Sequence, residues 1–299
     1  MKRHLFNFLF IVLPFTTSGQ QKNEVLLALE IMEALSSPAM EGRKTNTKGN
    51  KKARIYLIEQ FENLGHTVKT DTFNFRTITD QVEGINLMVE IKGSKYPQKY
   101  IVISAHYDHL GIKDKKIYNG ADDNASGTAA LLSLAATFKE NSPLHSLILV
   151  AFDAEEMGLQ GAKHFVKHPP INRKSIQLNI NMDMISQSEK GELYVCGTHH
   201  YSFTKSIIQD VASSFSKIKI LFGHDIPNTG SNDWTNQSDH YAFHKVKIPF
   251  IYFGVEDHSY YHKPTDTFDK LTKDFYLKAI QFITATVNQL DQELEKSKN

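Results

Sequence analysis

One cysteine, Cys196, serves a chain of 299 residues. With no second thiol there is no disulfide framework and no thiolate zinc site, so any metal must be held by histidine, aspartate and glutamate. Charge of either sign is not in excess: 34 Lys and Arg face 33 Asp and Glu, a formal net charge of +1, and no Lys/Arg block occurs. A nucleic-acid-binding surface is therefore not indicated. Beyond the first residues, no run is long and apolar enough for a transmembrane helix. Internal repeats, low-complexity linkers and composition shifts are missing too, and 40% hydrophobic residues leave ample material for a core.

The N-terminus, MKRHLFNFLFIVLPFTTSGQQ, sets Lys2, Arg3 and His4 before an apolar run over residues 5–15, then small residues at Thr17, Ser18 and Gly19. That is the anatomy of a secretory signal peptide, and the run is too short to span a membrane; an uncleaved N-terminal anchor is the rival. No cysteine follows the run, which leaves a lipid-modified N-terminus unsupported. The expectation is a signal peptide over residues 1–19, one domain over residues 20–299, and a periplasmic or secreted protein with no membrane association after cleavage.

Apolar spacing predicts helices over residues 23–36, 50–64, 128–138, 159–167, 201–215 and 272–293. Short apolar runs predict strands over residues 67–75, 83–92, 100–105, 145–152, 176–185, 192–196, 217–222 and 248–253. Gly65 is expected to close the second helix as a C-cap. From the third strand on, the order is strand, loop, helix, as in an open α/β sheet, where ligands bind beyond the carboxyl ends of the strands.

The chemistry-bearing residues fall at those ends. His106 and Asp108 follow the strand 100–105 and point to the same side by period-2 alternation, so one can be a metal ligand and the other its orienting partner, or both can be surface groups at a strand end. The polar loop Asn119-Gly120-Ala121-Asp122-Asp123-Asn124-Ala125-Ser126-Gly127 precedes a helix, whose dipole favours an ionised carboxylate. Asp122 reads as a cap or turn residue, and Asp123 is open between that and a ligand. Glu155 and Glu156 follow the strand 145–152. They can favour a helix start, or divide the work of ligand and general base. Asp183 lies in the apolar run IQLNINMDMI, where an unpaired carboxylate costs several kcal/mol; a metal ligand or a buried ion pair would avoid that penalty. A long polar segment with little periodicity then carries His224, His240, His244, His258 and His262, and such segments often line sites.

Five motifs in order, AHYDHLG, YNGADDNASG, FDAEEMGLQGA, NMDMIS and SYYHKPTDTFDKL, resemble those of the M28 zinc aminopeptidases, which carry two co-catalytic zinc ions. The resemblance runs from the Glu-Gly-Arg of residues 41–43 through the last motif. It implies a three-layer α/β/α sandwich around a mixed, mostly parallel sheet. It further implies that His106 and Asp183 bind one zinc, that Glu156 and His262 bind the other, and that Asp123 bridges them. Asp108 matches the carboxylate that orients His106, Glu155 the general base, and Tyr261 a tyrosine that steadies the tetrahedral intermediate in some members. A cis Asp123–Asn124 bond is implied as well. The activity implied is hydrolysis of peptides from a free N-terminus, with the terminal side chain in a pocket built partly from residues 233–243, which include the family motif Ser238-Asp239-His240.

Three other readings stand beside it: a glutaminyl cyclase-like enzyme with one zinc, a dipeptidase or carboxypeptidase-like member of the family, and a receptor-type domain that has lost its ligands. The sequence departs from the family pattern at Gln237, where some bacterial members carry arginine, and it has no room for a protease-associated insert. His258 competes with His262 on proximity, but the Tyr-His-x-Pro-x-Asp-Thr context favours His262. Residue preference and oligomeric state are not legible in the sequence.

Overall fold

The computed structural model describes residues 18–295. Most of the signal peptide expected over residues 1–19 therefore lies outside the described residues, and its last two positions, Ser18 and Gly19, begin helix α1 (Ser18–Leu35). Helix α2 (Lys48–Asn63) is capped by Thr47, whose side chain accepts from the Asn50 amide, satisfying one of the free N–H groups of a helix start. At its other end Gly65 takes φ +78°, and the His66 amide returns to the Phe61 carbonyl at 3.0 Å, a left-handed C-cap of the kind glycine tolerates.

Strands β1 (Val68–Arg76) and β2 (Gln81–Ile91) form an antiparallel hairpin from Val68 opposite Val89 to Arg76 opposite Gln81. Strand β3 (Tyr96–His106) leads through a small hairpin, β4 (Gly111–Lys113) with β5 (Lys116–Tyr118), to helix α3 (Gly127–Glu140). Then come β6 (His145–Phe152), α4 (Gln160–Lys167), β7 (Ile176–Met182), β8 (Glu192–Cys196), α5 (Phe203–Ala212), β9 (Lys219–Phe222), α6 (His240–Lys245), β10 (Phe250–Gly254) and α7 (Lys273–Glu293).

Eight strands make one sheet in the order β1-β2-β6-β3-β7-β10-β8-β9. The middle four, β6, β3, β7 and β10, are parallel, while β1–β2, β2–β6 and β10–β8 are antiparallel pairs. Alternation along the central strands explains why they read as unbroken apolar runs. Ile101, Ile103, Leu147 and Leu149 face a core shared with α1, α2, α3, α5 and α7. Val102, Ile148 and Val150 face the opposite way, against Ala162, Phe165 and Val166 of α4 and Ala242 and Phe243 of α6. Both faces are thus covered, as a parallel sheet requires, and the α/β/α sandwich is as expected.

Three local features differ from the sequence reading. The strand predicted over residues 176–185 stops at Met182, because the chain turns at Met184 with φ +57°; Asp183 is therefore beyond the strand end rather than inside it. The short α6 and the β4–β5 hairpin lie in segments read as irregular, being too brief to show a period. Among the described residues no helix is long and apolar enough to cross a membrane.

Cys196 is buried, and burial pushes its thiol well above the usual range. A thiol-reactive dye is expected to leave the folded chain unlabelled and to modify one thiol per chain on unfolding in guanidinium. Rapid labelling of the native protein would contradict this burial.

Candidate metal centre

Because β3, β6, β7 and β10 run parallel, their carboxyl ends share one edge, and the residues that follow them converge there. His106 is the last residue of β3, Glu155 and Glu156 follow β6, and Asp183 follows β7. Asp123 stands on the single distorted turn Ala121–Ser126 before α3, and His262 on the loop between β10 and α7.

All five residues expected as ligands meet in this place. His106 Nε2 lies 3.3 Å from Asp183 Oδ1, and 3.5 Å from Asp123 Oδ1. The other oxygen of Asp123, Oδ2, lies 3.0 Å from His262 Nε2, which is also 3.4 Å from Glu156 Oε2. One carboxylate thus turns an oxygen toward each half of the cluster. Glu155 Oε2 is 3.9 Å from His106 Nε2, and Tyr261 stacks on His262 with ring centroids 4.0 Å apart. The Asp123–Asn124 bond is cis, as the resemblance implied.

Several acids around the cluster are tied to backbone or side-chain donors, whereas Asp239 is buried with neither carboxylate oxygen hydrogen-bonded. Asp108 accepts from the amides of Glu155 (3.1 Å) and Glu156 (3.3 Å), with its Oδ1 3.5 Å from His106 Nδ1; the nearer partner of that nitrogen is the Asp108 carbonyl at 3.2 Å. Asp122 accepts from the Ser186 amide and hydroxyl, both at 2.7 Å, and from His258 Nε2 at 2.9 Å. This accounts for His258 without a ligand role. Asp183 is held from the far side of the sheet: Asn179 Nδ2 donates to Ser104 Oγ, Ser104 Oγ to Asn181 Oδ1, Asn181 Nδ2 to Ser238 Oγ, and Ser238 Oγ to Asp183 Oδ2 at 2.7 Å.

Four site residues escaped the sequence reading. His109, in AHYDHLG, is buried, and its Nδ1 lies 2.8 Å from Glu156 Oε1 and 3.6 Å from Asp123 Oδ2. Arg43 is fully buried and donates to the carbonyls of Tyr107, Leu35, Asn119 and Gly120 at 2.6–2.8 Å; burial lowers its pKa to about 10. It thereby pins the chain just before Asp122 and Asp123. Asp153 gathers Thr45, Asn50, Tyr107 and the Ile85 amide at 2.8–3.0 Å, anchoring the start of the Glu155–Glu156 turn. Asp266 accepts from the amides of Asp122 and Asp123 at 3.0–3.1 Å. Gly120 has φ +57°, and a Cβ there would sit 2.6 Å from the His109 ring, so glycine is needed for the loop to pass.

Electrostatics follow from crowding carboxylates in a buried place. Burial opposes protonation of His106 and His262, yet their carboxylate neighbours outweigh it: His106 is driven well above the usual imidazole range, and His262 to about 10. Burial raises Glu155 far above the ordinary glutamate range, with His106 opposing, and raises Asp239 to about 8. The cluster draws positive charge to itself. It opens on a cleft of about 480 Å³ lined also by Trp234, Gln237, Tyr241, Tyr252 and Asp257.

Fold and site together define an α/β protein whose imidazoles and carboxylates gather at the carboxyl edge of a parallel sheet. The chain belongs to peptidase family M28, whose family model matches residues 86–287. Aminopeptidase YwaD of Bacillus subtilis (strain 168) is 28% identical over 245 residues, covering 77% of this chain and 50% of that protein. A probable zinc metalloprotease of Pyrenophora teres f. teres is 28% identical over 170 residues, covering 52% of this chain and 37% of that protein. The chain thus spans half or less of the length of these two relatives. Among solved structures, the aminopeptidase from Aneurinibacillus sp. strain AM-1 superposes with a TM-score of 0.75 at 16% identity, covering 90% of this chain and 95% of that one. Glutaminyl cyclase of Porphyromonas gingivalis gives 0.74 at 16% identity, covering 88% and 97%. At such identities these likenesses speak for the fold.

The Arg43 clamp can be tested through stability. Arg43→Met would leave four buried carbonyls without their donor, and the expected loss is about 3 kcal/mol or more, read from the urea midpoint at unchanged slope. A loss below about 1 kcal/mol would mean that the loop does not depend on it.

Proposed function

We propose that the chain is a zinc-dependent exopeptidase, an aminopeptidase that removes residues from the free N-terminus of peptides and binds two zinc ions. Membership of peptidase family M28 supports this, and so do the names of its relatives. The observation that carries it is the shared carboxylate: Asp123 faces His106 and Asp183 on one side and Glu156 and His262 on the other. The donors fit zinc, since oxygens and imidazoles without thiolates suit a catalytic site. Glu156 Oε1 is buried with no hydrogen-bond partner, a state that a cation would relieve.

Two bound zinc ions would supply Lewis-acid polarisation of the scissile carbonyl and a lowered pKa for the attacking water. Glu155, beside His106 but outside both ligand groups, takes the proton of that water and delivers it to the departing amine. It stands nearly buried beside His106, which places its carboxyl next to the reacting atoms. Burial keeps the Tyr261 phenol protonated, so it can donate to the developing oxyanion. Asp108 fixes the Glu155–Glu156 backbone through two amides, holding the base in place. The substrate's terminal side chain enters the cleft lined by Trp234, Asn236, Gln237 and Tyr241, all within the stretch 233–243. The basic and apolar start of the sequence serves as an export leader, which would put the reaction in the periplasm or outside the cell.

The test is an assay of zinc-reconstituted protein on three peptides: free-amine, N-acetylated, and with an N-terminal glutamine. Hydrolysis confined to free amines is expected. Equal turnover of the acetylated peptide would remove the aminopeptidase reading, and cyclisation of the glutamine without hydrolysis would assign a cyclase. In the same assay Glu155→Gln should lower kcat by about 10²–10⁴ while zinc content, read by elemental analysis, stays at two per chain. Retained turnover would reassign the base.

A further inference from the structure

The reading of Asp123 as a shared ligand leaves the buried side chain of His109 without a role. His109 lies under the cluster, 1% exposed, and neither of its ring nitrogens has a hydrogen-bond partner. Its Nδ1 is only 2.8 Å from Glu156 Oε1, yet that oxygen also has no hydrogen-bond partner. At that distance a protonated His109 would pair with Glu156 as an ion pair, and a cation bound between the two is the alternative that satisfies both. A buried imidazole and a buried carboxylate oxygen are costly unless they are paired with each other or with a cation.

The neighbouring donors are grouped as a cation site would need. Donors on a tetrahedral zinc with bonds of about 2.0–2.2 Å lie roughly 3.3–3.6 Å apart. His109 Nδ1 is 3.6 Å from Asp123 Oδ2, which is 3.0 Å from His262 Nε2, which in turn is 3.4 Å from Glu156 Oε2. The nearest atoms of His109, Asp123 and Glu156 lie within 4.8 Å of one another. On the other side, His106, Asp123 and Asp183 form a group of three.

We propose that His109 is a sixth metal ligand, bound through Nδ1, so that one zinc is held by His109, Asp123, Glu156 and His262 and the other by only His106, Asp123 and Asp183. This inference rests on the two-zinc reading above and makes the two positions unequal. Four protein donors close a zinc site, whereas three leave a position for water or substrate. The ion at His109 is therefore the tightly held one, and the ion at His106 is the exchangeable one beside the base Glu155. The loop geometry serves this arrangement: Arg43 holds the Asn119 and Gly120 carbonyls, and Gly120 lies against the imidazole where any side chain would strike it.

The test is zinc titration by calorimetry with a competing chelator, without reference to turnover. Wild type is expected to bind two zinc ions of clearly different affinity. His109→Ala and the ring-preserving His109→Phe should each weaken the tighter ion by more than about 100-fold, beyond what loss of a merely orienting neighbour does, and leave the weaker ion unchanged. Circular dichroism confirms that each variant is folded. If neither folds, wild-type chain with 15N-labelled histidine and loaded with 113Cd decides the matter: three histidines should show cadmium–nitrogen coupling, one through Nδ1. Coupling at His106 and His262 alone, or unchanged affinities in the folded variants, overturns the sixth ligand. A wild type that binds a single zinc overturns the two-zinc reading instead.

Discussion

An excess of buried negative charge is the constraint on which this structure turns. Asp108, Asp123, Asp183 and Asp239 are buried, and Glu155 and Glu156 nearly so, at a single sheet edge. An ionised carboxylate taken out of water costs several kcal/mol unless it is paired. The buried Arg43 adds its charge to the neighbourhood but gives its donors to carbonyls. Apart from Glu155 and Asp239, the acids of this edge fall into two sets. Asp108, Asp122, Asp153 and Asp266 are satisfied by amides, hydroxyls, a phenol and an imidazole, and they build walls. Asp123, Asp183 and Glu156 keep oxygens turned toward imidazoles, and that set calls for cations.

The fold supplies the convergence. Four parallel strands deliver donors from far apart in sequence to one edge, and each is then fixed locally by a different device. His106 needs only the end of its strand. Asp183 needs a turn at Met184 and a relay of polar side chains running through the face of the sheet. Asp123 needs Arg43 behind it and Asp266 in front, and His262 itself adopts φ +52°, a conformation that the packing around it must enforce.

Much of this was legible in the sequence because its signals are local. Unbroken apolar runs announced the doubly covered strands, and an acid or histidine immediately after a run announced the edge at His106, Glu155 and Glu156; Asp183 was marked by standing inside its run, and Asp123 and His262 were assigned by the resemblance to the family motifs. His109 was not, since it sits three residues past His106 in a loop without a period, and its direction is set by Gly120 and Arg43 through long-range packing. Arg43 was seen only as part of a motif: a sequence shows an arginine but not the four carbonyls that surround it. Asp153 stood in the right motif, but the glutamates beside it drew the chemical reading, while its partners on β2, α2 and the Tyr107 ring come from elsewhere in the chain.

Asp266 joins two parts of the rim that would otherwise be separate. It lies four residues beyond His262 and accepts from the backbone amides of both Asp122 and Asp123, so the outer loop and the turn that carries Asp123 are clasped together. Neither can swing outward alone. A rim built this way has a doorway whose hinge is fastened to its own hearth: the loop that carries His262 cannot widen without shifting Asp123, so opening on that side would pull apart the cluster of imidazoles and carboxylates itself.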